Sequence, residues 1–222
     1  MKAVVIAIDG PSGSGKSSTA RGVAQRLGYS YLDTGSIYRA LTYYCLNHGI
    51  APDDSDEVVK AAHRMHVDVN PVWNDFSISV DGVDISRYLH EPRISAVVAH
   101  YAGIAQVRLV MIDLMRSVID RYSPIVVEGR DITTVVAPHA DVRILLQASD
   151  EARMARRSKQ LDGALNRDDL RDQVVGRDAL DSQVSNFLTP ADDGVYVIDS
   201  TSMSLNQVIE MVIDLCHRAK IG

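Results

Sequence analysis

Directly after Asp9 the chain reads Gly10-Pro11-Ser12-Gly13-Ser14-Gly15-Lys16-Ser17: a glycine, four residues, then Gly-Lys-Ser, with an apolar run before it and a helical pattern after it. This spacing suits phosphate. Glycines let the backbone curl so that successive N–H groups point at phosphate oxygens, and the N-terminus of the following helix adds partial positive charge. Lys16 has the reach for the β and γ phosphates of a nucleoside triphosphate. The Ser17 hydroxyl suits Mg²⁺, a hard cation that prefers oxygen and accompanies ATP. Gly10 to Ser17 and the adjoining Ser18 are therefore the expected ATP-binding residues.

A phosphate loop alone serves kinases, GTPases and ATP-driven motors alike, so other residues must decide. Switch proteins resembling Ras read their base with Asn-Lys-x-Asp and carry an Asp-x-x-Gly segment; neither string occurs in this chain. Motors that run on nucleic acid use basic or aromatic tracks. Here 29 acidic residues against 23 basic ones give a net charge of −6, and only 5% of residues are aromatic, so no nucleic-acid partner is expected. Any affinity for phosphate must be local.

The elements that position these residues show as short apolar runs alternating with longer helical patterns. Ala3 to Asp9 leads into a helix from Lys16 to about Leu27, and Tyr29 to Leu32 into a helix over Ser36 to His48. The spacing Ile104, Val107, Met111, Leu114, Val118 predicts a long amphipathic helix, followed by the buried-strand run Ile125-Val126-Val127. Val142 to Leu146 and Val195 to Ile198 are two further runs, each with a helical pattern after it. The expectation is an α/β fold of three layers, that of the P-loop NTPases: five parallel strands with helices on both faces.

Two stretches interrupt this rhythm. Phe76, Ile78 and Val80 alternate, then Asp81-Gly82 turns into Val83 and Ile85, which predicts a β-hairpin within a small antiparallel insertion over about 63–95. From about Ser158 to Asp169 the chain is polar and mixed in charge. Composition leaves that stretch open between a moving lid, spanning about 153–182, and an ordinary solvated connection. With 222 residues, one domain over 1–222 accommodates all of this.

With 46% apolar and 23% charged residues, the composition is that of a soluble globular protein. No apolar stretch approaches the roughly 20 residues that span a bilayer, and the first strand runs straight into the glycine-rich loop rather than a cleavage site. No membrane partner and no leader are expected. Cys45 and Cys216 stand at apolar helical positions without a His or Cys at ligand spacing, which predicts buried, reduced thiols and fits the cytoplasm. Trp73, Tyr43 and Tyr44 are expected in packing, and the seven histidines show no ligand spacing.

Several segments resemble the bacterial cytidylate kinases, a family of P-loop nucleoside monophosphate kinases. Besides the phosphate loop they are Asp33-Thr34-Gly35-Ser36-Ile37-Tyr38-Arg39, Gln106-Val107-Arg108, Glu128-Gly129-Arg130-Asp131-Ile132, Glu151-Ala152-Arg153 with Arg156-Arg157, and Arg177-Asp178-Ala179-Leu180-Asp181. The resemblance spans nearly the whole chain, and it implies transfer of a phosphoryl group from ATP to CMP or dCMP, with Mg²⁺ and without a nucleic-acid or membrane partner. A monomer is expected. Asp33, Thr34, Arg39, Arg108, Arg130, Asp131, Arg177 and Asp181 become the acceptor-binding residues. Among them Arg39 and Arg130 are expected as a forked clamp on the acceptor phosphate, and Arg108 with Asp131 at the cytosine edge. Lys16, Arg130, Arg153, Arg157 and Arg177 are the catalytic group, neutralising the phosphates and the transferring phosphoryl. Another small acceptor, or nucleotide binding without turnover, remain the alternatives.

Three positions depart from that family pattern: Thr133 stands where Gly is usual, Ala99 where a Ser contacts cytosine, and Val184 where an Arg follows the acid at Asp181. The last two remove polar contacts to the acceptor and leave the phosphate chemistry untouched.

Overall fold

Successive residues of a strand face opposite sides of its sheet, and the first strand, β1 (Val5–Asp9), serves two cores in this way. Ile6 and Ile8 belong to one apolar cluster and Ala7 to the other. Each face therefore needs its own layer of helices. The structure is a computed structural model and describes residues 4–160, 174, 176, 178, 179, 182 and 194–221.

The main sheet has five parallel strands in the order β2 (Ser30–Asp33), β6 (Ile125–Gly129), β1, β7 (Val142–Gln147) and β8 (Val195–Asp199). One face is covered by α1 (Lys16–Leu27) and the helix Leu205–Arg218, here α7, which bury Ala20, Val23, Val208 and Val212 against Ile6, Val126 and Ile144. The opposite face packs α2 (Thr34–Asn47), α3 (Ser55–Arg64) and α5 (Ala105–Tyr122) through Ile37, Leu41, Val58 and Met111 against Ala7, Leu32 and Val127. α4 (Pro92–Ala102) packs on α2, and α6 (Asp150–Gln160) follows β7. The expected three-layer fold is thus present. α2 starts two residues earlier than the apolar pattern marks, because Asp33 caps it by accepting from the Ser36 N–H.

The insertion is a second, antiparallel sheet of β3 (Val67–Asn70), β4 (Ser77–Val80) and β5 (Val83–Asp84). Its hairpin turn falls on Asp81 and Gly82, whose φ angles of 50° and 79° are both left-handed, as the tight primed turn requires. Val69, Ile78 and Val80 join the core beneath α2. Cys45 and Cys216 are buried free thiols, both pushed up to about 11 by burial. Tyr43 stacks on Tyr88 and Tyr44 on His48, both in packing roles.

No single helix among the described residues is long and apolar enough to cross a membrane. Of the expected lid, Arg177 and Asp181 lie outside the described residues, as does Val184.

Candidate active site

In an open parallel sheet, ligands bind beyond the carboxyl ends of the strands, where connections depart to opposite sides. Here the chain leaves β1 for β2, which lies beyond β6, and later places β7 on the other side of β1. The crevice thus opens above β1 and β6, and their ladder ends with Asp9 opposite Gly129. Gly10 and Arg130, the next residues of each strand, begin the two halves of the site.

The half expected to take the donor is the phosphate loop. A side chain at Gly10 would place its Cβ 2.3 Å from the Leu146 carbonyl oxygen, and Gly15, at φ 94°, caps α1 in a conformation open to glycine. The loop is held from behind. Arg153 Nη1 donates to the Ser12 carbonyl at 2.9 Å, and the Ser14 carbonyl accepts from Arg156 Nη1 and from the Ser200 hydroxyl, each at 3.1 Å. Lys16 Nζ lies 3.4 Å from the Pro11 carbonyl.

Beneath Lys16 and Ser17 stands Glu128, the last but one residue of β6 and 2% exposed. Burial raises its carboxyl well above the usual range and Asp33 pushes it further, while Lys16, Ser17 and Tyr31 draw it back. Tyr31 donates to it at 3.1 Å. An apolar run ended by an acid at a strand tip is a readable sign of the second acidic element of phosphate-loop enzymes; sequence reasoning quoted Glu128 without giving it a role. Arg156 and Ser200 were also missed, since their part is to hold a loop carbonyl across the fold.

The other half, where the sequence places the acceptor residues, comes from α2, α4, α5 and the turn after β6. Arg39 is buried, donating through Nη1 to the Leu89 carbonyl at 2.8 Å and to the Ser95 hydroxyl at 3.0 Å. Arg130 Nη1 donates to the Gly10 carbonyl at 3.2 Å and pairs with Asp178 at 2.7 Å. Arg108 and Asp131 form a mostly buried ion pair. Burial still raises the Asp131 carboxyl, against the pull of Arg108. Tyr38 lies within cation–π reach of Arg108, and burial pushes its phenol up to about 12.

These parts line one cleft of about 370 Å³: Ser12, Gly13, Gly15, Lys16, Ser17 and Ser18 from the phosphate loop, together with Asp33, Thr34, Arg39, Arg108, Arg130, Asp131 and Arg157. Gly10, Pro11 and Ser14 stay out of the lining, as parts of the loop's own frame. Thr34 is turned to a structural bond, its hydroxyl donating to the Glu128 carbonyl at 2.9 Å. Arg153 is 6% exposed and engaged by protein: besides the Ser12 carbonyl it takes Asp150 at 2.6 Å and Asp178. His90, Val98, Ala99 and Ala102 complete the acceptor wall. Ala99, one of the three departures from the family pattern, lines the cleft.

The family model of cytidylate kinase matches residues 6–218. The chain is similar to a cytidylate kinase of Cutibacterium acnes, 46% identical over 213 residues that cover 96% of this chain and 95% of that one. It is also similar to one of Streptomyces avermitilis, 42% identical over 220 residues, covering 98% and 94%. Among solved structures it is similar to a gluconokinase of Sinorhizobium meliloti, with a TM-score of 0.54 at 15% identity, covering 98% of this chain and 94% of that one. An uncharacterized protein of Eubacterium ventriosum is similar with a TM-score of 0.52 at 13% identity, covering 98% and 99%. Identities that low speak to the fold alone.

Proposed function

The chain belongs to the cytidylate kinase family, and from that premise and the geometry of the cleft we propose that it transfers the γ-phosphoryl group of ATP to CMP or dCMP. The products are ADP and CDP or dCDP, formed by direct in-line displacement without a covalent enzyme intermediate. The observation that carries this reading is the adjacency of the two strand ends. Because β1 and β6 are neighbours, the loop that bears Lys16 and the turn that bears Arg130 and Asp131 open on one cleft.

The residues act by positioning and neutralising charge. Loop N–H groups and Lys16 hold the donor's phosphates, and Arg39 and Arg130 grip the acceptor phosphate with planar forks that match its oxygens. Arg157 and Lys16 face charge that develops on the transferring group, and Arg177, which lies outside the described residues, is assigned to the same role by the family resemblance. Asp131 accepts from the exocyclic amine that distinguishes cytosine from uracil, with Arg108 orienting it. Arg153 holds the loop that these contacts depend on. Excluding water as the cleft closes directs the phosphoryl group to the acceptor.

The donor set fits magnesium. No group of three or more His, Cys, Asp or Glu that could hold a metal occurs among the described residues. The Ser17 hydroxyl and the carboxylates of Glu128 and Asp33, which line the cleft together, are instead the sparse oxygen set that magnesium uses when phosphates and water supply the rest. Bound with ATP, the ion would neutralise charge on the donor phosphates.

The test is ADP formation with CMP, dCMP, UMP, AMP and GMP as acceptors. The expected outcome is turnover highest on CMP or dCMP and far slower ADP release without an acceptor. Faster turnover on another monophosphate overturns the acceptor assignment, and ATP binding without turnover on any of the five overturns the enzymatic one.

A further inference from the structure

Thr133 stands behind the two residues that face the acceptor. It is 3% exposed, contributes nothing to the lining of the cleft, and is the second residue of a π-helical turn, Ile132–Val136. Its hydroxyl donates to Asp9 Oδ2 at 2.6 Å and its N–H to the same oxygen at 2.8 Å, while the Ile132 N–H donates to Oδ1 at 2.8 Å. Asp9, 1% exposed, ends β1 and directly precedes Gly10. One buried carboxylate therefore ties the turn carrying the acceptor residues to the strand that launches the phosphate loop.

The two halves depend on this tie unequally. The β1–β6 ladder stops at Asp9 and Gly129, so the first two residues of the turn beyond it, Ile132 and Thr133, give their N–H groups to Asp9, while Arg116 holds the Val135 and Val136 carbonyls at its far end. The phosphate loop has its own supports, the bonds to the Ser12 and Ser14 carbonyls from Arg153, Arg156 and Ser200. Burial raises Asp9 to about 6, and the Thr133 hydroxyl is the strongest influence drawing it back. The hydroxyl thus helps to keep charged the carboxylate that holds the turn.

We propose that Thr133, acting through Asp9, is a positioning residue for the acceptor: its hydroxyl sets the angle at which Arg130 and Asp131 are presented. Its removal weakens acceptor binding and leaves ATP binding nearly unchanged. This rests on the assignment of that turn to the acceptor.

The test compares Thr133→Val, which removes the hydroxyl at nearly constant volume, with Thr133→Ser, which retains it. Loss of a hydrogen bond to a charged group should raise the acceptor KM about tenfold in Thr133→Val, with the ATP KM within about twofold of wild type. Thr133→Ser should stay within about twofold on both. If Thr133→Val does not fold, Thr133→Ala supplies the same comparison without a methyl group against the carboxylate. An equal rise in both KM values, a lower melting temperature with both KM values unchanged, or a Ser variant as impaired as the variant without a hydroxyl would each overturn the proposal. The wild-type protein is scored first across the five monophosphates, and the variants are compared on the acceptor it uses best. A wrong acceptor assignment is therefore visible separately from a failed positioning role.

Discussion

The two halves of the cleft are built by different means. The donor half is one contiguous segment, Gly10 to Ser18, shaped by glycine conformations and fastened through its own carbonyls. The proposed acceptor half draws on Arg39, Arg108, Arg130 and Asp131, from three separate segments, held by side-chain bonds such as those of Arg39 to Leu89 and Ser95 and of Arg108 to Asp131. A backbone-built site tolerates substitution away from its required glycines but fails outright when one of those glycines or its one charged side chain is lost. A site assembled from side chains should degrade in parts, each change altering affinity or selectivity separately.

The sharpest break is Lys16→Ala. Lys16 is the cation of the donor loop and lies half-buried in the cleft. Its removal should lower phosphoryl transfer by several orders of magnitude while the protein stays folded. Circular dichroism with the coupled assay separates the two effects. A folded variant with near-normal turnover would remove the donor half of the comparison.

On the acceptor side, Arg130→Lys keeps the charge but loses the fork that also engages Gly10 and Asp178, and should raise the acceptor KM about tenfold to a hundredfold. Asp131→Asn, which exchanges an acceptor pair for an amide beside Arg108, should cut discrimination between CMP and UMP by about tenfold. ATP affinity should hardly move in either variant, as equilibrium dialysis can check. If it fell as far as CMP affinity, the halves would not be separate.

The same contrast governs what could be read from the sequence. The phosphate loop, the five strand runs and the Asp81-Gly82 hairpin were legible because local pattern dictates each of them: spacing, alternation, and a turn that needs left-handed backbone. β3 was not, because the four residues Val67–Asn70 carry too short an alternation to stand out. Arg153 was expected at the transferring group, yet its bonds to Asp178 and the Ser12 carbonyl come from segments that only the fold brings together. The tie between Asp9 and Thr133 spans 124 positions of sequence and left no local trace. Thr133 was legible only as a departure from a pattern, without a reason.

That tie gives the comparison a pH dependence. Asp9 titrates near 6 in the folded protein against 3.8 as a free side chain, so the folded state holds its proton more tightly. Its contribution to stability is therefore fully present below pH 3.8 and is lost as pH rises through about 6. Function should follow the opposite slope, since protonation weakens the carboxylate as an acceptor of three hydrogen bonds. Asp131 and Arg143, the latter bonded to the Thr133 carbonyl at 3.4 Å, are charged neighbours of this cluster. Relative to Asp9→Asn, which cannot titrate, wild type should gain thermal stability between about pH 7 and pH 5 while its acceptor KM rises. The Asn variant also reveals the part of the profile that belongs to the acceptor's own phosphate, whose second pKa is about 6. Parallel profiles for the two proteins would place the titration elsewhere.

The smallest expected effect concerns Ala99, one helical turn beyond Ser95 on the face of α4 that lines the cleft. The Ser95 hydroxyl accepts from Arg39, and Val98, Ala99 and Ala102 along the same wall carry no hydroxyl. A serine at 99 would add one neutral donor and acceptor toward the base, at a helix-propensity cost of about 0.5 kcal/mol to stability. A neutral hydrogen bond contributes about 1 kcal/mol, so Ala99→Ser should lower the CMP KM about threefold to fivefold and leave the ATP KM unchanged. Because the contact is to the base, the gain should be smaller for UMP than for CMP. Equal gains on both would mean that the new hydroxyl reaches the ribose or phosphate, and no gain on either would move the base away from the α4 wall.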